Sequence, residues 1–207
     1  MNAPLRISVS DLDSYRYWKE ADDQDLEALL KRLRGDDAPS PQMRAGTAFH
    51  KIMEYAHEGE LRAQEMDGWR FEFALDSEIA IPAIREMKAE LPLETPSGRI
   101  LLVGKVDAMD GLTVRDYKLT ERFDAERYAD SLQWRAYLLM FGGNRFVYDV
   151  FQAGYDENSV TVYDYHALTF YPYPTMREDV IREVHALAEI IARYLPEKTR
   201  SHEEKAA

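Results

Sequence analysis

The stretch GKVDAMDGLTVRDYK, residues 104–118, has the pattern of a β-hairpin folded around its Asp-Gly dipeptide at residues 110–111. Apolar residues recur along both halves and predict two strands, over about residues 99–109 and 112–119. A turn at this place sets Asp107 opposite Val114 and Lys105 opposite Asp116. The hairpin therefore carries charged side chains where an apolar framework would place core residues.

The charged residues of this hairpin lie on a single face. Side chains alternate between the two faces of a strand, so Asp107, Asp116 and Lys118 point the same way. In the predicted register the two aspartates are diagonal neighbours, with backbones roughly 7 to 8 Å apart. Carboxylates this close repel each other unless a cation lies between them, and oxygen ligands favour Mg²⁺ or Mn²⁺. The hairpin is therefore a candidate metal site with a lysine beside it.

Two carboxylates and a lysine suit the hydrolysis of a phosphodiester, in which an attacking water loses a proton while negative charge builds on the phosphate. The alternative is a solvent-facing strand pair with ordinary surface charges, which is the commoner case for an isolated D-x-K tripeptide. The apolar run ILLV at residues 100–103 is typical of a strand covered on both faces. It favours a partly enclosed site, in which Gly104 marks a close backbone approach or a bulge.

Two predicted helices carry polar side chains that could complete such a site. On a helix over about residues 43–58, His50 and Glu54 are four residues apart and share a face. His50 is a candidate third metal ligand, and Glu54 is a candidate to orient either His50 or a water beside the metal. On a helix over about residues 124–141, Gln133 and Tyr137 have the same spacing, and they could bind a phosphate or a base, or brace the site. Each pair also fits an ordinary amphipathic helix.

The rest of the pattern predicts one α/β domain over residues 1–195, followed by a flexible polar tail over residues 196–207. Ser8 and Ser10 are candidate caps for the first helix, and a Thr-x-x-Glu capping box at Thr175 precedes the last one. The further helices are predicted at about residues 11–19, 26–33 and 83–91 and over an apolar stripe at residues 180–191. The further strands are predicted at about residues 69–75, 79–81, 145–152 and 160–168.

The composition limits the classes of partner and cofactor. Among the 207 residues, 26 are Lys or Arg and 38 are Asp or Glu, which gives a net charge of -12. A polyanion must therefore be met by local positive charge or by metal ions, and the candidates for a positive patch are Arg115, Arg122, Arg127 and Arg135. No Cys occurs, which excludes disulfides, zinc–thiolate sites and Cys-ligated iron–sulfur clusters. No leader pattern or membrane-length apolar run is present, so a cytoplasmic protein without membrane contact is expected.

Taken in order, four short motifs resemble the PD-(D/E)XK nuclease superfamily, in particular its RecB-like exonuclease branch, which includes CRISPR-associated and phage exonucleases. The branch shows G-x-x-x-H, G-x-x-D, D-x-K and Q-x-x-x-Y. Here these motifs read GTAFH at residues 46–50, GKVD at 104–107, DYK at 116–118 and QWRAY at 133–137. Residues 7–15 also look like the start of such domains. Four motifs in this order are far more specific than any one of them.

The resemblance implies a restriction-endonuclease-like core, with a central mixed β-sheet flanked by helices. It implies that His50, Asp107, Asp116 and the backbone carbonyl of Tyr117 bind Mg²⁺ or Mn²⁺, and that Lys118 is the catalytic lysine beside Asp107 and Asp116. It also places Gln133 and Tyr137 at a DNA-facing edge. Together with Arg122 and Arg135, these two are the expected DNA-binding residues.

The chain departs from the family in two places. Many RecB-like members hold a four-Cys iron–sulfur cluster, which this sequence cannot form, and Trp18 stands near the place of the first Cys. Leu119 follows the lysine where the family often has Thr.

The expected function is a Mg²⁺- or Mn²⁺-dependent deoxyribonuclease, an exonuclease acting on single-stranded DNA or duplex ends in recombination, repair or phage DNA metabolism. The alternative is a DNA-binding or interaction subunit of a helicase or recombination complex, with little or no turnover. The net charge of -12 favours that alternative, since a free DNA binder usually carries a basic footprint.

Overall fold

A computed structural model describes residues 4–57, 61–76 and 79–200, and of residues 199 and 200 only the backbone. The helices in these ranges are α1 (Val9–Glu20), α2 (Leu26–Arg34), α3 (Pro41–Tyr55), α4 (Ala125–Asp130), α5 (Gln133–Phe141), α6 (Met176–Tyr194) and α7 (Pro196–Arg200). The strands are β1 (Leu5–Ser8), β2 (Gln64–Met66), β3 (Trp69–Phe73), β4 (Ile84–Thr95), β5 (Gly98–Asp110), β6 (Thr113–Thr120), β7 (Arg145–Asp156) and β8 (Ser159–Phe170). No helix within these ranges is long and apolar enough to cross a membrane.

The strands form one mixed sheet in the order β1-β5-β6-β7-β8-β3-β2, and β4 pairs with β5 outside this order. The pairs β1/β5, β6/β7 and β3/β8 are parallel, and the others are antiparallel. One apolar cluster joins α1, α2, α5 and α6 to one face of the sheet. A second cluster packs α3 on the other face, around Phe49 and Phe151. The predicted fold class, a central mixed sheet flanked by helices, is confirmed.

Strand β5 changes its partner midway along its length. β4 pairs with it from residue 98 to residue 109 and so occupies one of its two edges. On the other edge, β1 pairs with residues 100–103 and β6 with residues 108–110. Among the described strands, none lies beside residues 104–107 on this second edge. The GKVD motif falls in this gap.

The hairpin forms, but its register is not the predicted one. Asp110 pairs with Thr113 and Met109 with Val114, so the turn consists of Gly111 and Leu112. The predicted pairings of Asp107 with Val114 and of Lys105 with Asp116 were therefore wrong by two residues. The observed register sets two buried apolar residues opposite each other, while Leu112 is 56% exposed in the turn. A shift of two residues leaves every side chain on its predicted face.

Three local predictions are wrong, and for one of them a tertiary contact outweighs the local preference. Residues 83–91, rich in helix-favouring residues, belong mainly to strand β4, because they pair along β5. The predicted strand at residues 79–81 is not formed. The predicted helix over residues 124–141 is divided into α4 and α5, with Ser131 and Leu132 between them. The last of these differences affects the functional site directly.

The helix ends follow the predicted caps only in part. Ser8 caps α1, since its Oγ accepts from the Asp11 N–H at 3.0 Å and the Asp11 side chain accepts from the Ser8 N–H. The box predicted at Thr175 is absent: Thr175 makes no side-chain cap, and its φ of -97° and ψ of 10° are not those of a capping residue. The predicted tail begins with helix α7, and Glu197 lies 3.5 Å from Arg34. Residues 201–207 are outside the described residues.

Candidate metal and catalytic site

The Asp107 side chain accepts a hydrogen bond from a main-chain N–H of β6 that has no partner in the β5–β6 ladder. The β5–β6 ladder ends at the pair Ala108–Arg115, and its continuation would bring Val106 opposite Tyr117. Instead, the Tyr117 N–H donates to Asp107 Oδ2 at 2.7 Å. On the other carboxylate oxygen, His50 Nδ1 lies 3.2 Å from Asp107 Oδ1. This carboxylate therefore links the DYK strand to helix α3.

The charges of this pair support each other. Burial disfavours the carboxylate, but the His50 hydrogen bond, the charges of His50 and Lys118 and the Tyr117 N–H outweigh it, so the pKa of Asp107 is lowered. Burial also disfavours the imidazolium, yet the hydrogen bond and charge of Asp107 raise the pKa of His50. Both shifts favour an ionised aspartate beside a protonated histidine.

Asp116 and Lys118 form a second pair. Lys118 Nζ lies 2.6 Å from Asp116 Oδ2, and the Asp116 side chain is only 4% exposed. Burial raises the pKa of Asp116 to about 6 against the opposing charge of Lys118, and the charge of Asp107 adds to the rise. Burial disfavours the ammonium, but the charges of Asp116 and Asp107 raise the pKa of Lys118. The lysine is therefore charged at neutral pH.

The chemistry of these donors fits a hard divalent cation. Two carboxylates and an imidazole are ligands that Mg²⁺ and Mn²⁺ accept. In addition, Asp116 Oδ2 is buried with the Lys118 ammonium 2.6 Å away as its ionic partner, and it has no aligned hydrogen-bond donor.

The side chains of the candidate ligands His50, Asp107 and Asp116 do not form a preorganised metal site. Within the described ranges, no group of three or more His, Asp or Glu side chains is close enough together to hold a metal ion. Asp107 contacts His50, and Asp116 contacts Lys118, so each carboxylate has a basic partner of its own. Ligation by His50, Asp107, Asp116 and the Tyr117 carbonyl therefore stays a prediction.

An arginine from β4 fixes the end of α3 that follows His50. The last turn of α3 contains no basic residue, and Arg85 donates to the carbonyls of Glu54 at 2.6 Å and Met53 at 3.4 Å. Because Arg85 pairs with Ala108 in the β4–β5 ladder, it ties the helix to β5 next to Asp107. The sequence prediction did not include Arg85; the signal for it was a helix end without a cation of its own.

The Glu54 side chain makes no direct contact with His50 among the described residues. No hydrogen bond or ion pair of its side chain to His50 occurs in the described part of the chain, where only its backbone carbonyl is engaged, by Arg85. No contact between the two side chains therefore supports the predicted role of Glu54 in orienting His50. His57 lies beyond the end of α3 and is exposed.

Tyr137 occupies the gap beside β5. Its hydroxyl donates to the Lys105 carbonyl at 2.8 Å, which gives that carbonyl a partner where no strand lies. A Cβ at Gly104 would lie 2.7 Å from Tyr137 Cε1 and 2.9 Å from Val9 Cγ2, so the ring requires glycine at this position. Tyr137 is 5% exposed, and the Gln133 amide oxygen accepts from Tyr148 at 3.3 Å. These contacts favour the bracing role over the DNA-contacting one for both residues.

Three of the four arginines expected to form a positive patch make hydrogen bonds within the protein, although Arg127 is exposed. Arg115 is held by the buried carboxylate of Asp149, Arg127 by the Tyr17 hydroxyl, and Arg135 by the Tyr173 hydroxyl and two backbone carbonyls. Across the described ranges, the Arg122 guanidinium makes no hydrogen bond or ion pair. It is exposed four residues beyond Lys118, at the end of β6. Of the four arginines, Arg122 is therefore the one whose guanidinium is exposed and without a partner among the described residues.

Comparison with known proteins supports the fold alone. The solved structure of a protein designated SSO0001 matches 92% of this chain and 78% of its own, with a TM-score of 0.54 and 14% sequence identity. The solved structure of LHK-Exo in complex with dAMP matches 97% of this chain and 94% of its own, with a TM-score of 0.43 and 13% identity. No protein-family model matches the chain, and no curated protein matches its sequence.

Proposed function

We propose that this chain is a Mg²⁺- or Mn²⁺-dependent nuclease that hydrolyses phosphodiester bonds in DNA, and in particular an exonuclease. The observation that supports it is the convergence of four motifs spread over residues 46–137. GTAFH meets GKVD through His50 and Asp107, GKVD meets DYK through the Tyr117 N–H, and QWRAY meets GKVD through Tyr137. An ordinary surface strand pair would not bury an aspartate to 4% exposure.

Each residue has a distinct role in this proposal. His50, Asp107, Asp116 and the Tyr117 carbonyl would hold the cation, which when bound supplies Lewis-acid polarisation of the phosphate and of the attacking water. Lys118 is charged, so it would donate hydrogen bonds and stabilise negative charge on the phosphate instead of accepting a proton. Arg122 would contact a neighbouring phosphate of the DNA strand.

The test uses end-labelled linear single-stranded DNA, linear duplex DNA and closed circular DNA, each with Mg²⁺, Mn²⁺ or EDTA. We expect loss of linear DNA only, no reaction in EDTA, and a rate at least roughly 100-fold lower for Lys118→Ala. Lys31→Ala is the matched control, since Lys31 is a surface lysine with a side chain 60% exposed. Cleavage of closed circles would replace the exonuclease with an endonuclease, and activity that survives Lys118→Ala would contradict the proposed site.

A second candidate is a DNA-binding or interaction subunit of a helicase or recombination complex. It is favoured by a specific observation: the Arg115, Arg127 and Arg135 side chains already have hydrogen-bond partners within a chain of net charge -12. DNA retained by the wild-type protein without cleavage in any metal would select this function. In that case Lys118→Ala would leave retention almost unchanged.

A further inference from the structure

Tyr148, a buried tyrosine of β7, has its ring beside the Lys118 ammonium. Lys118 Nζ is 5.7 Å from the centre of the Tyr148 ring, within the range of an ammonium–aromatic attraction. In the β6–β7 ladder Tyr148 is the register partner of Asp116, so its ring adjoins both members of the Asp116–Lys118 pair. Tyr148 has no exposed surface. Its position is therefore set entirely by the surrounding protein.

The Tyr148 hydroxyl belongs to a network that begins on α1. Ser131 Oγ donates its single proton to Asp13 Oδ1 at 2.8 Å, so the 3.0 Å contact between Ser131 Oγ and the Tyr148 hydroxyl requires Tyr148 as the donor. The Tyr148 hydroxyl has one proton, which is shared between Ser131 Oγ and a second acceptor, Gln133 Oε1, at 3.3 Å; the Gln133 N–H donates to Ser131 Oγ at 3.0 Å. The break between α4 and α5 thus provides the groups that anchor the tyrosine.

We infer that Tyr148 is a positioning residue for Lys118, anchored through its hydroxyl by Ser131 and Gln133; the inference rests on the proposed nuclease function. A lysine side chain has many rotamers, and burial alone does not choose among them. The ring of Tyr148 forms a surface on one side of the ammonium, and Asp116 holds it from another. Together they restrict Lys118 to the place beside the two carboxylates.

Tyr148 could instead serve only to pack the core, and that role would depend on different atoms of the side chain. Tyr148 also packs against Tyr128, at 5.1 Å between ring centres, and against Phe146 at 4.7 Å. Packing needs only the ring, whereas positioning also needs the hydroxyl that holds the ring in place. Tyr148→Phe keeps the ring and removes the anchor, so it separates the two roles.

The kinetic test compares Tyr148→Phe with Tyr165→Phe. Tyr165 of β8 also loses one internal hydrogen bond in this change, its 2.5 Å bond to the buried Asp149, but it packs with the cluster on the α3 face of the sheet. We expect kcat for DNA cleavage to fall roughly tenfold in Tyr148→Phe, with KM unchanged, because a small misplacement of a catalytic group is costly. Tyr165→Phe should keep the wild-type kcat. Equal kcat values for the two variants would overturn the inference.

A second readout does not depend on activity. In protein labelled with ¹³C-lysine, the Lys118 ε-methylene signal, assigned with Lys118→Arg, should show an upfield ring-current shift in the wild type. The shift should decrease or the signal should broaden in Tyr148→Phe, and Tyr165→Phe should leave it unchanged. A wild type that cleaves nothing would reject the proposed function, while a Lys118 signal identical in all three proteins would reject the positioning role.

Discussion

Asp116 is deeply buried and lies beside the Lys118 ammonium. Burial raises its pKa to about 6, compared with an ordinary value of 3.8. A carboxyl with a raised pKa stabilises the fold while it is protonated, so this contribution is complete below about pH 4 and is lost as the pH rises through about 6. At neutral pH the group is therefore ionised at a cost to stability that a bound cation would reduce.

The first prediction concerns the pH dependence of stabilisation by Mn²⁺. A cation binds ionised Asp116 and neutral His50, whose pKa is raised, so binding should strengthen as the pH rises through about 6. We expect millimolar Mn²⁺ to raise the melting temperature clearly at pH 7.5 and only slightly at pH 5, in calorimetric melts with and without the ion. Asp116→Asn should remove the difference. Equal shifts at both pH values would contradict cation binding at this carboxylate.

The second prediction compares two motif glycines. A methyl group at Gly104 would lie 2.7 Å from Tyr137 and 2.9 Å from Val9, whereas one at Gly46 in α3 would meet nothing within 4 Å. Gly104→Ala should therefore lower the free energy of unfolding by about 1–3 kcal/mol. Gly46→Ala should raise it by about 0.5–1 kcal/mol, because alanine is favoured over glycine inside a helix. Urea unfolding measures both, and a stable Gly104→Ala protein would show that Tyr137 does not press on β5.

At the scale of elements, α3 depends on a cation that another element provides. Arg85→Ala would leave the carbonyls of Met53 and Glu54 without their charged donor, so we expect unfolding to become easier by about 1–3 kcal/mol. Arg99→Ala, at a surface arginine 64% exposed, should change stability by less than about 0.5 kcal/mol. Hydrogen exchange should also speed up in the last turn of α3. An unchanged last turn in Arg85→Ala would contradict the anchoring role.

The hairpin shows which features of an element can be predicted from the sequence and which cannot. Alternating residues predicted both strands and the shared face of Asp107, Asp116 and Lys118, because a period of two is visible in a single sequence. The register was not predictable from the Asp-Gly signal, since the pairing of buried Met109 with Val114 decides it. The contact between Asp107 and the Tyr117 N–H depends on where the ladder ends, which no local pattern reveals.

Other elements depended on partners far away in the chain. Residues 83–91 favour a helix by composition, and only the neighbouring β5 makes them a strand. The break between α4 and α5 involves Ser131, whose hydroxyl bonds to Asp13, 118 residues earlier. The four motifs were recognisable because their chemistry requires particular residue types. The residues that support them, Arg85 and Tyr148, were not, because packing can be achieved by many residue types.

At the scale of the whole molecule, helix α6 is held to the rest of the fold by apolar contacts. Val180, Val184, Leu187 and Ile191 are fully buried in the cluster that α6 shares with α1 and the sheet. We expect Leu187→Ala to cost about 2–5 kcal/mol of unfolding free energy, by leaving a cavity in this cluster. Glu189→Ala, on the exposed side of the same helix, should stay within about 0.5 kcal/mol. If denaturant melts gave equal losses of unfolding free energy for the two variants, the buried apolar residues of α6 would not be what holds this helix in place.

Asp107 has both a structural and a proposed chemical role, and this affects the choice of a variant for trapping a complex with DNA. Its carboxylate accepts a hydrogen bond from the Tyr117 main-chain N–H, which lies beyond the end of the β5–β6 ladder. A substitution of Asp107 would therefore disturb the backbone of β6 as well as remove a carboxylate from the candidate site. Lys118 makes no such side-chain bond to the main chain within the described residues. Under the function proposed above, an inactive variant that still binds DNA should therefore be made by substituting Lys118, with Asp107 left unchanged.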